Sequence, residues 1–269
     1  MTVPASPTPR STRTPWQIQL AVLFALLQRD LKARFGGRWM GAFWIFLEPI
    51  AHVTLMMLIF VYLRERLVPG VPFVLFLITG LFPFFIFRGM SLRVMGAIDG
   101  SRGLFGYRQV KPIDALLVRG ALDALLNSAV YVVFLAAMGW HGLQWFPDEP
   151  LQLIFASGVL IVLGFSLGLL FAVLTDDLPQ LRVFIRIAYL PLYIISGVIF
   201  PISALPPAAL PWLLWNPILH LIEVQRGYFF KHYPVIDQAS LSYPAGLAVL
   251  LLASALSLYR VRRHRLLAS

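Results

Sequence analysis

The chain has 269 residues, of which 59% are hydrophobic and 13% charged, and its formal net charge is +10. Soluble domains average about 45–50% apolar and about 25% charged, so this composition belongs in a membrane and excludes a large soluble enzyme beside it. Cysteine is absent, which excludes disulfides and thiolate sites.

Residues 1–15, MTVPASPTPRSTRTP, are polar and rich in Pro, Ser and Thr. They lack the apolar core of a signal peptide and are expected to form a disordered cytoplasmic tail, leaving 16–269 as one membrane domain. Residues 16–35 end in QRDLKARF, too polar to span but amphipathic enough to lie in the headgroup plane. Gly36 and Gly37 then permit a sharp turn into an apolar run, with Trp39 and Trp44 near the interface that indoles favour.

Apolar runs of at least about 18 residues are candidate spans. Met40–Leu63 is the first, interrupted by Glu48 and His52, and the uncharged 71–87 run follows, continuing to Arg88. The 116–140 run carries Arg119 and Asp123, four apart on one helical face and able to neutralise each other. The 151–175 run has no charge at all. Residues 187–222 then form a 36-residue uncharged stretch with six prolines. As a single helix it would reach about 54 Å, far beyond a hydrocarbon core of about 30 Å. It therefore divides into a span at 186–200 and a re-entrant or interfacial hairpin at 201–222, broken at Pro206, Pro207, Pro211 and Pro217. The last span is 241–259. The expected fold is an all-α integral membrane protein with six transmembrane helices, an N-terminal interfacial helix and a re-entrant extracytoplasmic helical hairpin before the last span.

Six spans put both termini on one side. With that side cytoplasmic, 18 of the 22 Lys and Arg residues lie inside, as the positive-inside rule requires. Topology and anionic headgroups then account for the basic excess, and nucleic acid is not an expected partner.

No stretch matches the phosphate loop G-x-x-x-x-G-K-[ST]. An ATP-driven machine would need a separate subunit for hydrolysis, and no cofactor is expected in this chain. The five residues from Gly164 to Gly168, GFSLG, match a serine nucleophile pattern. That pattern needs a strand–turn–helix context, whereas these residues lie mid-span and also read as a small-xxx-small packing motif. No catalytic residue is assigned. His52, His141, His220, His232 and His264 show no metal-ligand spacing, and no metal is expected. Asp176-Asp177 reads as a solvated loop that ends a helix, since no second acidic motif answers it.

Glu48 is a carboxylate inside a span, which is costly and draws it toward a bundle interior or a wet cavity. Either an arginine on a neighbouring helix neutralises it, or it lies on a transport path. Arg88 and Arg93 follow Phe82, Phe84, Phe85 and Phe87. They read equally as snorkelling anchors and as a cationic, aromatic-lined entrance for an anionic substrate. Residues 101–113, SRGLFGYRQVKPI, are either a lipid-bound loop or a docking element for a soluble subunit. In the latter case Phe105 and Tyr107 serve as anchors among Arg102, Arg108 and Lys111.

Two longer motifs carry a resemblance: LLQRDLKARFGGRWMGAFWIFLEP near the N-terminus and ISGVIFPISALPPAALPWLLWNPILHLIEVQRGYFF near the C-terminus. Together they resemble polysaccharide-export ABC transporter permeases over about residues 16–262. The LEP at 47–49 and WNPILHLIEVQRGYFF at 215–230 are most like the capsular polysaccharide (KpsM-type) inner-membrane branch; O-antigen and teichoic acid permeases share the architecture. The resemblance implies a multi-pass inner-membrane permease with six spans and cytoplasmic termini, working as a homodimer. Two copies of a separate ATPase would bind ATP and Mg. The cargo would be a lipid-linked, acidic polysaccharide, handed on to a periplasmic adaptor and an outer-membrane export protein.

Residues 101–113 would then transmit ATPase motion through Arg102, Phe105, Tyr107, Arg108 and Lys111. The hairpin of Pro206, Pro207, Pro211, Trp215, Asn216 and Pro217 would cap the channel on the far side. Trp44, Glu48, Arg88, Arg93, Tyr189 and Tyr193 are the candidates for the substrate path, by chemistry and depth. The rival from another class is a membrane-embedded lipid or sugar transferase, which would need acidic or His–Asp groups converging at one depth.

Overall fold

The computed structural model describes residues 14–35, 40–63 and 71–268, and among them every regular element is helical. Residues 1–13, Gly36, Gly37 and Trp39 lie outside the described residues, as does the side chain of Trp44. The α-helices are α1 (Pro15–Phe35), α2 (Met40–Leu63), α3 (Phe73–Met95), α4 (Pro112–Trp140) and α5 (Pro150–Asp177), followed by α6 (Leu181–Ile195), α7 (Leu210–Leu213), α8 (Pro217–Phe229) and α9 (Ser242–Ala268). Four of them contain segments long and apolar enough to cross a membrane: Phe73–Met95, Pro112–Trp140, Pro150–Asp177 and Ser242–His264. α2 contributes the shorter apolar segment Phe46–Ile59. α6 has 15 residues and reaches about 22 Å at 1.5 Å per residue, less than the core thickness of about 30 Å.

α5 is the central helix and packs most extensively on α9 and α3. Its two inner glycines explain the fit. A Cβ on Gly168 would lie 2.7 Å from Val94 Cβ and 2.8 Å from the Ser91 carbonyl, and one on Gly164 would lie 3.1 Å from the Phe87 carbonyl. Bare backbone there lets α5 lie directly against α3. The GFSLG motif is thus a packing surface, and Ser166 Oγ donates back to the Val162 carbonyl at 2.6 Å.

On α1, Trp16, Leu20 and Phe24, one turn apart, are exposed and form an apolar stripe. Gln19, Asp30 and Arg34 pair with α4. Gln19 Nε2 donates to Asp114 at 2.7 Å, Arg119 Nε to Asp30 at 3.1 Å, and Arg34 Nη1 to Asp123 at 3.2 Å. These partners follow the same order along both helices. The expected Arg119–Asp123 pair does not form, because α1 supplies each residue with a partner of its own. An arginine four residues before an aspartate is also the weaker orientation of such a pair.

Several boundaries move. α3 continues past Phe87 to Met95, where the Gly96 N–H closes the last turn on the Leu92 carbonyl. α6 starts at Leu181 and stops at Ile195, where Ser196 and Gly197 (φ +69°) turn the chain. The proline-rich stretch forms two 3-10 turns, Ile202–Ala204 and Pro207–Ala209, and then the short α7. α8 runs to Phe229, beyond the expected limit of 222, and is buried along most of its length. α9 likewise continues through its basic end to Ala268.

Candidate functional site

Ion pairs join the loop after α3, the acidic end of α5, the start of α6 and the C-terminal part of α9. Arg102 binds Asp176 at 2.7 Å and Asp99 at 3.1 Å, Arg182 binds Asp99 at 2.6 Å, and Arg262 pairs with Asp177. Asp176 and Asp177 are therefore tied to arginines, whereas the sequence suggested a freely solvated loop. The tertiary fold brings the loop after α3 and the tail of α9 to the end of α5, and their guanidinium groups replace water.

Next to this layer, Asp123 is a hub. It is completely buried, and its Oδ1 accepts from Arg93 Nε at 2.6 Å as well as from Arg34. Gly89 leaves space for it, since a Cβ there would stand 2.7 Å from Asp123 Oδ2. Burial first, and then repulsion from Arg93, lowers the pKa of Arg34, while Asp123 works in the opposite direction. Around the hub lies a cavity of ≈ 350 Å³ whose charged and polar lining is Arg34, Glu48, Arg88, Arg93, Asp123 and Asn127.

The structure brings three of the proposed path residues, Glu48, Arg88 and Arg93, into this one cavity. Glu48 is exposed at its edge and forms no ion pair within 4.0 Å among the described residues. Arg88 likewise has no carboxylate within that distance, and its buried Nε meets no acceptor. Tyr189 and Tyr193 lie elsewhere, buried on α6. The Tyr189 hydroxyl pairs with Ser91 Oγ on α3, and that of Tyr193 lies 2.7 Å from His52 Nε2 on α2. They fasten α6 to two neighbouring helices rather than line the cavity.

On the 101–113 stretch, Tyr107, Arg108 and Lys111 are exposed. Phe105 packs inward against a cluster that includes Leu116 and Tyr259, and Arg102 is drawn in by its acids. The Lys111 backbone N–H donates to Asp114 Oδ2 at 3.0 Å, which starts α4. In the proline-rich segment Pro206, Pro207, Pro211 and Trp215 are exposed. Asn216 is buried and caps α8 by accepting from the Ile218 N–H at 3.0 Å, with Pro217 at the first helical position.

A family model described as ABC-2 type transporter matches residues 21–230. The chain belongs to the ABC-2 type transporter family. It is 36% identical over 257 residues to the polysialic acid transport protein KpsM of Escherichia coli, covering 96% of this chain and 99% of that one. It is 27% identical over 238 residues to the capsule polysaccharide export inner-membrane protein BexB of Haemophilus influenzae, with coverages of 87% and 89%. Over 247 residues it is 27% identical to the O-antigen export system permease protein RfbA of Myxococcus xanthus, with coverages of 90% and 93%.

In this ABC-2 transporter chain the sequence reading passed over two residues. Asp123 appeared as a self-neutralised helix charge. Arg226 is one of the four Lys and Arg residues that the expected topology leaves outside the cytoplasmic side. It is in fact fully buried, donating to the carbonyls of Gly197, Phe76 and Val198 at 2.7, 3.1 and 3.0 Å. Its guanidinium lies 3.7 Å from the Phe76 ring centre, and Glu223 stands 3.6 Å away. The available signal was Glu223-x-x-Arg226 at the end of an apolar run, a charged pair one helical turn apart.

Proposed function

We propose that this chain is the transmembrane permease subunit of an ATP-driven exporter that carries lipid-linked, acidic capsular polysaccharide from the cytoplasm across the inner membrane. The observation that carries the reading is the 36% identity to KpsM over nearly the full length of both chains. α2, α3, α4, α5, α6 and α9 are the six spans, with both termini cytoplasmic; α6 crosses together with the residues flanking it. Residues 201–216 with α8 form the re-entrant extracytoplasmic hairpin. α1 lies along the cytoplasmic leaflet, where its exposed Trp16, Leu20 and Phe24 enter lipid.

The permease works as a homodimer with two copies of a separate ATPase, which hold the ATP and Mg. Tyr107, Arg108 and Lys111 are exposed on the loop after α3, so they offer an aromatic anchor and two cations to that subunit. Arg102 is bound to Asp176 and Asp99, so ATPase motion at this loop is passed to α5. This chain makes and breaks no bond. A periplasmic adaptor and an outer-membrane export protein continue the route.

The similarity to RfbA supports a second reading, O-antigen export by the same architecture; teichoic acid export is the further variant. Deleting the gene in its host and locating the surface polymer tests all of these. Lipid-linked polymer retained in the cytoplasm is the expected result, and its chemical analysis separates capsule from O-antigen or teichoic acid. Failure of the polymer to form would replace transport by the transferase reading, and normal surface polymer would remove polysaccharide as the cargo.

A further inference from the structure

Arg88 presents an unmet requirement. A buried guanidinium N–H without an acceptor carries a desolvation cost, and a cation inside a span is ordinarily paired. Yet Arg88 Nε is buried and unpartnered, and no acid stands within ion-pair distance among the described residues. It faces a cavity of ≈ 350 Å³ that it shares with Arg34 and Arg93. Those two already share one oxygen, Asp123 Oδ1, and each guanidinium has five N–H donors. Donors therefore remain available from three directions, against the two carboxylates of Glu48 and Asp123.

We propose that Arg34, Arg88 and Arg93 form a binding site for a phosphate group carried on a lipid. Phosphate offers several strongly accepting oxygens at tetrahedral angles, so guanidinium groups on separate helices can each take one. The rest of the lining suits the neck of an amphiphile. Pro49, Phe85 and Leu92 stand beside the charges, and Phe46 and Ile50 on α2 are exposed apolar side chains. α2 itself is lightly held, packing on α1 and α3 and joined to α6 through His52 and Tyr193. A lipid-borne phosphate can thus reach the cavity along α2 without crossing the apolar core of α3 and α5. Two sources share this chemistry, the lipid anchor of a polymer cargo and an ordinary phospholipid headgroup. Only the first rests on the export function proposed above.

Native mass spectrometry of the purified full-length protein tests the site. Dioleoyl phosphatidic acid is the probe, and dioleoylglycerol, with the same tails and no phosphate, is the comparator. We expect the wild type to prefer the phosphate lipid, Arg88→Gln to weaken its tightest site about tenfold, and Arg88→Lys to weaken it less. Glu48→Gln removes a repelling charge and is expected to tighten binding about two- to threefold, a gain that misfolded protein cannot imitate. Unchanged phosphate preference in both Arg88→Gln and Glu48→Gln overturns the proposal and leaves the cavity to water.

Polymer export in cells separates the sources. Loss of binding together with lipid-linked polymer held in the cytoplasm assigns the phosphate to the cargo. Loss of binding with normal export assigns it to membrane phospholipid. Failure of the export function itself shows in the gene deletion, which is independent of the lipid measurement.

Discussion

Arg226 and Arg88 are both guanidinium groups carried by helices of the bundle, in opposite surroundings. Arg226 has no exposed surface; it is met by three backbone carbonyls, an aromatic face and a nearby carboxylate. Its position depends on Gly80, where a Cβ would collide with Nη2. Gly197 and Val198 end the turn after α6, so their carbonyls have no helical partner, and Arg226 supplies one from α8. Arg88 is half-buried, faces a cavity and keeps a donor unmet. Nε lacks an acceptor in both, but Arg226 fills both terminal nitrogens with carbonyls and has Glu223 nearby. An arginine held in that way fastens a fold, whereas one beside open space with no acid in reach is arranged for something that comes and goes.

The sharpest way to break this comparison is at the sealed site. Arg226→Leu leaves the carbonyls of Gly197 and Val198 without their donor and Glu223 without its counter-charge, at a cost on the order of 3–5 kcal/mol. Little folded protein should survive extraction and size-exclusion chromatography. Arg226→Lys should fail as well, because one ammonium cannot reach carbonyls arranged for a planar fork; full recovery by lysine would show that charge alone matters there.

Asp123→Asn comes next, on the order of 2–3 kcal/mol, since it leaves Arg34 and Arg93 without their shared negative charge. Protease cleavage within α1 is the readout, and cleavage as slow as in the wild type would mean that the remaining α1–α4 contacts suffice. Gly168→Leu should cost about 1–3 kcal/mol by overpacking α5 on α3. Gly158→Leu on the same helix meets nothing within 4 Å and should leave the melting temperature alone. If both behave alike, the close approach of α3 and α5 is not what holds the bundle.

Tyr189→Phe removes the hydroxyl that joins α6 to Ser91 and should cost about 1 kcal/mol, read as a small fall in melting temperature. The smallest stability effect is expected for Arg88→Gln, within about 0.5 kcal/mol. A large loss of thermal stability in that variant would put Arg88 in the same structural class as Arg226.

The helices themselves were largely legible because the signal for a span is local: an uninterrupted apolar run of sufficient length. The prolines between 201 and 217 marked a broken segment for the same reason, since each removes a donor where it stands. Glu48, Arg88 and Arg93 were picked out by charge within or beside such runs, and the fold gathers them in one cavity. The Arg119–Asp123 pair was misjudged because spacing along α4 carries no information about α1, which approaches with Asp30 and Arg34. Tyr189 and Tyr193 were placed on the path by chemistry and depth, neither of which says which way a side chain turns on its helix; their hydroxyls meet Ser91 and His52. Helix ends were displaced for a related reason: partners from elsewhere in the chain, such as Arg226 at Gly197 and Val198, stabilise the turns that stop them.

By itself, then, the sequence determined the solvent of this protein, its helical class and the end at which its positive charge collects. Those follow from composition and run length, because a backbone in hydrocarbon must satisfy its own hydrogen bonds and the helix does so within each segment. Only the tertiary structure decided which charges are matched and which are left over. Pairing depends on distances between residues up to 150 positions apart, as between Arg226 and Phe76. Asp123 shared by two arginines and Arg88 left facing a cavity are outcomes of that packing, and chain order does not encode them in any local pattern.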